Sequence, residues 1–300
     1  MNKEQLTALV AEILGQMEPQ VKASAYHPTT AGPEKQAPEW HDGEFVPDIT
    51  ALDLRKLYLT EHPADKERFA NMKTKTPARL GSGKAGPRYK TLTMLRFRAD
   101  HAAAQDSVFS EVDTEFAKKY DLLPTKTRCD SKDEYLTRPD LGRCFDEHNA
   151  KAIRSVIHTP PRVQIVIGDG LSSAACEANA MDCLQALKDG LKARGIQTGK
   201  DIFVRYCRVG AGDAIGDLTG CELVAVLVGE RPGLVTDKSM SIYITYKPHT
   251  GVSESSRTVI SNIHAQGTPA VEAGAYAAEL IETILRRRVS GVGLHMEAAQ

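Results

Sequence analysis

The sequence predicts an α/β protein, with a largely parallel, doubly wound sheet in its C-terminal half. A mainly helical region and a tethered amphipathic helix precede that sheet. Three observations lead there. Between residues 151 and 300, short β-branched runs alternate with helix-like stretches, which is the pattern of strands joined by crossover helices. Residues 48–150 are polar and helix-patterned, with loops rich in Gly, Pro and Lys. Residues 1–47 pair one apolar stripe with a proline-rich stretch that lacks the apolar content of a core.

In chain order, residues 1–18 read as an amphipathic helix. Leu6, Leu9, Val10, Ile13, Leu14 and Met17 recur at helical spacing, and Lys3, Glu4, Gln5, Glu12 and Gln16 fill the other face. So short a helix is marginal in water until its stripe is covered. Residues 19–47 carry Pro19, Pro28, Pro33, Pro38 and Pro47, a flexible linker composition. The helix therefore reads as a recognition element held on a tether, with docking back onto its own body as the alternative.

Residues 48–150 form the mainly helical region. Its loop Gly81-Ser-Gly-Lys-Ala-Gly-Pro-Arg88 lacks phosphate-loop spacing, since Ala85 follows Lys84, and no apolar strand precedes it. A helix such as Thr91–Ala103 follows, so its N-terminus with Lys84 and Arg88 remains able to receive an anion.

In residues 151–300 the strands are Val163–Ile167, Ile202–Tyr206, Leu223–Val228, Ser241–Lys247 and Thr258–Ile263. Helices run from Ser173 to about Ala193, over Asp213–Leu218, and from Pro269 to Arg288, where Pro269 suits a first turn. This is a Rossmann-like arrangement, and such sheets bind ligands at the carboxyl ends of their strands. The loops Gly168–Ser172, Val209–Asp213, Gly229–Gly233 and Asn262–Thr268 should gather along that edge.

Those loops hold the candidate binding residues. In Gly168-Asp169-Gly170-Leu171-Ser172 the glycines permit close backbone approach, and Ser172 or Ser173 can cap the next helix. Such a turn takes a phosphate or a ribose hydroxyl, or stays an unoccupied tight turn; it is not the dinucleotide fingerprint. Glu230 either accepts hydrogen bonds from ligand amides or hydroxyls or pairs with Arg231, and His264 meets ligand or local backbone. No zinc-site spacing, nucleophile elbow or paired carboxylates are found, so no catalytic residue and no metal ligand are assigned. The chain is equipped to bind more than to react.

Bulk properties narrow the partners. A net charge of −1 offers no field for nucleic acid or an anionic membrane. The six cysteines form no C-x-x-C pair, and Cys176 and Cys183 share a helix face as reduced packing residues. With no secretory signal and no apolar run of about 18 residues, an intracellular, soluble chain is expected.

Several segments together resemble the ethanolamine ammonia-lyase light chain family. They are Gly83-Lys-Ala-Gly-Pro-Arg88, Leu95-Arg-Phe97 with Ala99-Asp-His101, and Tyr135-Leu-Thr-Arg-Pro-Asp-Leu-Gly-Arg143. Further on come Gly168–Ser172, Phe203-Val-Arg-Tyr206, Leu227-Val-Gly-Glu-Arg-Pro-Gly-Leu234, and Ile260-Ser-Asn-Ile-His264 with Gly267-Thr-Pro269. The likeness runs in order from about Asp48 to the C-terminus.

The resemblance implies a higher-order complex of heavy and light chains that converts ethanolamine to acetaldehyde and ammonia by radical chemistry. In it the heavy chain's β/α barrel holds the substrate, and the light chain covers part of adenosylcobalamin, including its nucleotide tail. Carried over by position, the cofactor contacts fall on Val209, Glu230 and Val259, the last a position where the family pattern can have Cys. Asp169, Gly170 and Ser172 join this set from strand-end geometry alone. Asp146-Glu-His148-Asn-Ala-Lys151 nearly matches the D-x-H-x-x-G signature that offers histidine to cobalt, but its glycine is missing and His148 reads as a surface residue.

The family's likeness extends to residues 1–18 as a targeting peptide docking on the shell of a bacterial microcompartment within the cytoplasm. It makes residues 48–150 the expected heavy-chain contact and residues 151–300 the cobalamin-binding domain. Two other readings stay open: a nicotinamide-dependent oxidoreductase, suggested by the alternating sheet alone, and a microcompartment interaction protein.

Overall fold

The computed structural model describes residues 48–296, so the helix expected over residues 1–18 and the linker over 19–47 lie outside the described residues. The described chain opens with a single turn, Ile49–Ala51, and helix α1 (Lys66–Thr74), whose N-cap Asp65 accepts from the Arg68 amide. A hairpin follows, β1 (Lys84–Ala85) with β2 (Arg88–Tyr89), and then α2 (Thr91–Phe109). Lys73 holds this entry segment together. Its ammonium, 2% exposed, donates to the carbonyls of Leu54 at 3.0 Å, Leu80 at 2.6 Å and Leu57. Burial lowers the affinity of that amine for its proton.

Next come α3 (Phe116–Lys119), β3 (Leu123–Lys126), α4 (Lys132–Thr137) and α5 (Glu147–Ser155). Helices dominate this region as expected, yet it also supplies a strand to the main sheet. Leu123-Pro-Thr-Lys126 is too short and too polar to show a period, and Pro124 argues against a strand except at a sheet edge, which is where β3 lies.

The remaining elements alternate: β4 (Val163–Asp169), α6 (Ser173–Ala193), β5 (Ile202–Arg205), α7 (Ala211–Thr219), β6 (Leu223–Gly229), β7 (Met240–Tyr246), β8 (Arg257–Ile263), α8 (Ala270–Arg287) and α9 (Val292–Met296). The strands stack in the order β3-β5-β4-β6-β7-β8. The first four are mutually parallel; β7 is antiparallel to β6, and β8 to β7. The α/β expectation holds, with a mixed, mostly parallel sheet.

Every residue of β4 and β6 is buried, as strands covered on both faces require. One face packs Ile165, Ile167, Leu227, Ile242 and Ile260 under the long helices α6 and α8. The other packs Val166, Val204, Val224 and Val226 under Ile153 of α5 and Ala211 and Ile215 of α7. The described residues form one compact unit. Among the described residues, no helix is long and apolar enough to cross a membrane.

Helices α6 and α8 approach closely because small residues line their contact. A side chain at Gly274 of α8 would place its Cβ 2.3 Å from the Cys183 carbonyl and 3.0 Å from Ala186 Cβ. Replacing Gly274 by Val should therefore lower stability by about 1–3 kcal/mol through overpacking. Urea unfolding should show this as a lower midpoint at unchanged slope. Val271→Ser, at an exposed position of the same helix, should stay within about 0.5 kcal/mol.

Candidate functional site

Because β3, β5, β4 and β6 are parallel and β8 runs in the same sense, their following loops emerge at one edge of the sheet. At its centre lies the turn after β4. Asp169 is fully buried: Oδ2 accepts from the Val112 amide at 3.1 Å, and Oδ1 accepts from Ser173 Oγ at 2.7 Å. Burial raises its pKa above the usual carboxylate range, against the Ser173 hydrogen bond and the Lys132 charge. Ser172 caps α6 through the Ala175 amide at 2.9 Å, donates to the Asp237 carbonyl at 2.5 Å, and lies 2.9 Å from Ser107 Oγ. The Gly170 carbonyl accepts from the buried Lys132 ammonium at 3.2 Å. This turn spends its polar groups on the chain itself, drawing the end of α2 and the loop after β6 onto the edge.

The loop after β5 carries Val209. Tyr206 there holds φ at +58°, a left-handed conformation that costs an aromatic residue roughly 1–3 kcal/mol. Its hydroxyl donates to Glu111 Oε1 at 2.5 Å, and Arg205 holds the other oxygen of that carboxylate at 2.6 Å. The segment Tyr135–Arg143 then cradles the loop. Tyr135 OH donates to the Cys207 carbonyl at 3.1 Å, and the Arg208 amide donates to the Gly142 carbonyl at 2.9 Å. The Arg208 guanidinium lies 4.5 Å over the Tyr135 ring and donates to that residue's carbonyl at 2.8 Å. Val209, half-buried, packs against the apolar layer under α7.

Glu230 follows β6 and is half-buried. Its Oε1 accepts from Tyr243 OH at 2.6 Å, and its amide donates to the Ser239 carbonyl at 2.9 Å. The ion pair with Arg231 left open by the sequence is not formed among the described residues. Burial and the Glu230 carboxylate push the Tyr243 phenol well above its ordinary pKa, so it stays a proton donor. Tyr243 sits directly opposite Val226 of β6 and Val259 of β8, so all three share the α7 face. Val259 is 44% exposed, on the edge strand β8.

Glu230 bonds Tyr243, Tyr243 sits opposite Val259 on the same sheet face, and Val209 packs against the apolar layer of that face, while Asp169, Gly170 and Ser172 lie buried in the turn after β4. Sequence reading missed Tyr243. Alternation along Ser241–Lys247 marks its face, but its partner Glu230 follows only from the antiparallel register of β6 and β7. His264 is locally engaged, with Nδ1 accepting from the Gln266 amide at 3.2 Å and Nε2 2.8 Å from Asn262 Oδ1. His148 is exposed on α5, where Asp146 is only the N-cap, bonded to the Asn149 amide at 2.7 Å. Among the described residues, no group of three or more His, Cys, Asp or Glu is placed to hold a metal. The arrangement offers an apolar surface with one oriented carboxylate, which is binding chemistry.

Comparison with known proteins is consistent over nearly the whole chain. The family model described as ethanolamine ammonia-lyase light chain (EutC) matches residues 66–295. The ethanolamine ammonia-lyase small subunit of Clostridium perfringens is 53% identical over 294 residues, covering 98% of this chain and 100% of the relative. That of Clostridioides difficile is 53% identical over 296 residues, covering 98% and 100%. That of Lachnoclostridium phytofermentans is 55% identical over 251 residues, covering 84% and 85%. The mostly parallel sheet, the ordered motifs along its carboxyl edge and this breadth of identity agree: the chain belongs to the family of ethanolamine ammonia-lyase light chains, the small subunits of a carbon–nitrogen lyase.

Proposed function

We propose that this chain holds part of adenosylcobalamin on the face carrying Val209, Glu230 and Val259, and that a heavy chain completes the enzyme and supplies the ethanolamine site. The observation that supports the reading is the Glu230 carboxylate. Tyr243 occupies Oε1, and Oε2 takes no hydrogen bond among the described residues. That leaves one oriented acceptor, tied through Tyr243 to the sheet face that carries exposed Val259 and half-buried Val209.

A corrin ring edged with methyl groups and carboxamide arms fits this donor and acceptor set. An amide N–H takes the free acceptor, and the valines cover apolar periphery. When bound, the cofactor supplies homolytic cobalt–carbon chemistry that no side chain can supply. This chain's residues orient and desolvate. Glu230 accepts from the ligand while Tyr243, its proton firmly held, keeps the carboxylate aimed. Val209 and Val259 exclude water from the contact. Asp169, Gly170 and Ser172 act from behind, fixing the turn on which these loops rest.

A nicotinamide reading is weaker, because the turn after β4, where a pyrophosphate would lie, is filled by Ser107, Val112 and Asp237. The heavy-chain contact is assigned to residues 48–150. There α2 buries only Thr93, Ala104 and Ser107 and exposes Met94, Leu95 and Phe109. Residues 1–18 are assigned to delivery into a microcompartment by docking their apolar stripe on the shell.

Three outcomes test this reading. The isolated chain should not deaminate ethanolamine, and activity should require both a heavy chain and adenosylcobalamin; turnover by this chain alone would refute the division of labour. Glu230→Ala should weaken cofactor binding to the assembled enzyme by about 1.5–3 kcal/mol, tenfold or more in affinity, with folding retained. An unchanged affinity would reduce Glu230 to an anchor for Tyr243. Residues 1–18 fused to a fluorescent reporter should form puncta in cells that build the compartment, and polar replacements of Leu9 and Ile13 should disperse them. Each buried Leu or Ile contributes about 1.5–3 kcal/mol to such docking. Diffuse fluorescence from the unaltered fusion would count against autonomous targeting.

A further inference from the structure

The two apolar walls of the proposed cofactor face come from different parts of the chain. Val209 stands just before α7, and Val259 lies within β8. Between them sits a buried ion pair that no sequence motif marks. Arg257 opens β8, its side chain 3% exposed, and Asp213 lies in the first turn of α7, its side chain 8% exposed. Arg257 Nη1 and Nη2 donate to the two oxygens of Asp213, each at 2.8 Å. Nη1 also reaches Thr245 Oγ1 at 3.2 Å, and Nε donates to Glu254 Oε2 at 2.6 Å. Thr245 lies opposite Arg257 on β7, so this cluster occupies the same sheet face as Tyr243 and Val259.

Helix α7 is seated on the sheet by buried Ala211 and Ile215 and tied to the loop after β7 through Asp217, whose Oδ2 accepts from the Thr250 amide at 3.0 Å and from Thr250 Oγ1 at 2.5 Å. The helix spans only 9 residues, and its N-cap, Gly210, makes no side-chain cap bond. Glycines line part of its contact surface. A Cβ at Gly212 would lie 2.6 Å from Val226 Cγ2, and one at Gly216 would lie 2.4 Å from the Pro248 carbonyl. Close packing through glycines and Ile215 seats the helix, and the ion pair adds a directional contact between it and β8. A buried ion pair is a poor source of net stability, since desolvation offsets much of its attraction, but it is geometrically exacting. A bidentate guanidinium–carboxylate contact holds both partners in one relative orientation.

We propose that Arg257 and Asp213 are positioning residues that set the spacing between the Val209 and Val259 walls, and through it the affinity for cobalamin. This rests on the assignment of those valines and Glu230 to the cofactor face. The brace acts on α7 and β8, not on the ligand.

The test uses the assembled heavy–light complex, with cyanocobalamin binding measured by equilibrium dialysis and thermal unfolding followed in parallel. Arg257→Lys keeps the charge but loses the two-pronged contact. It should weaken cyanocobalamin binding about tenfold while the complex still assembles and its unfolding temperature changes little. Asp213→Asn should act in the same direction. A lowered unfolding temperature with unchanged cyanocobalamin affinity would overturn the proposal in favour of a purely structural pair. Should Arg257→Lys fail to assemble, Glu254→Gln loosens the same guanidinium from a side chain that is 72% exposed; unchanged affinity there overturns the proposal. Glu230→Ala is the reference. If it loses affinity and Arg257→Lys does not, the brace alone is wrong. If neither loses affinity, the site assignment itself falls.

Discussion

A carboxylate sealed from water must find its hydrogen bonds within the protein, and Asp169 meets that demand with one partner from a distant segment and one from the helix that follows it, while its backbone ties in a third segment. Its side chain takes the amide of Val112, beyond the end of α2, and the hydroxyl of Ser173, in the first turn of α6. Its carbonyl accepts from the Cys207 amide at 2.8 Å, in the loop that carries Val209. The neighbouring Gly170 carbonyl adds the buried Lys132 ammonium. The carboxyl edge of the sheet is therefore rigid at its centre, and the loops that extend outward from it inherit defined positions.

The two faces of the sheet are covered unequally, and the difference creates the surface proposed for the cofactor. Helices α6 and α8, of 21 and 18 residues, seal one face from β4 across to β8. On the other, α5 and α7 run for 9 residues each and cover the parallel strands, leaving Val259 of β8 exposed beside Tyr243. The proposed joint binding of a large ligand with a partner calls for such an incomplete face. Coverage by the protein's own helices would bury Val259, which the proposal assigns to the ligand.

The same logic separates roles among the candidate residues. Asp169 and Ser172 have their polar atoms fully engaged, so they support the site from within. Glu230 has one oxygen fixed by Tyr243, which restricts the rotamers of the carboxylate before any ligand arrives. Preorganisation of this kind reduces the entropy lost on binding. The cradle formed by Tyr135–Arg143 extends it to the Val209 loop, with Arg208 stacked on Tyr135 and its amide tied to Gly142. A motif noticed in the sequence only for its resemblance thus has a mechanical role.

Local physics was legible in the sequence. The helix from Ser173 to Ala193 was read with both ends in place, because Ser172 is a capping residue and the apolar period persists to the end. The β-branched runs of β4 and β6 announced strands buried on both faces. Parallel topology then placed the candidate loops at one edge, and the ordered motifs pointed to the family. Tertiary structure decided whatever depends on register between distant segments. Pro124 sits in a strand because β3 lies at the edge, which no window around residue 124 reveals. Glu230 bonds Tyr243 rather than its neighbour Arg231, and Arg257 finds Asp213, because antiparallel pairing and the seating of α7 bring those atoms within reach. The turn after β4, open in its sequence, is closed by Ser107, Val112 and Asp237 from elsewhere in the chain. Hydrogen bonds act over about 3 Å, so their partners are set by where the folded chain places them and not by spacing along it.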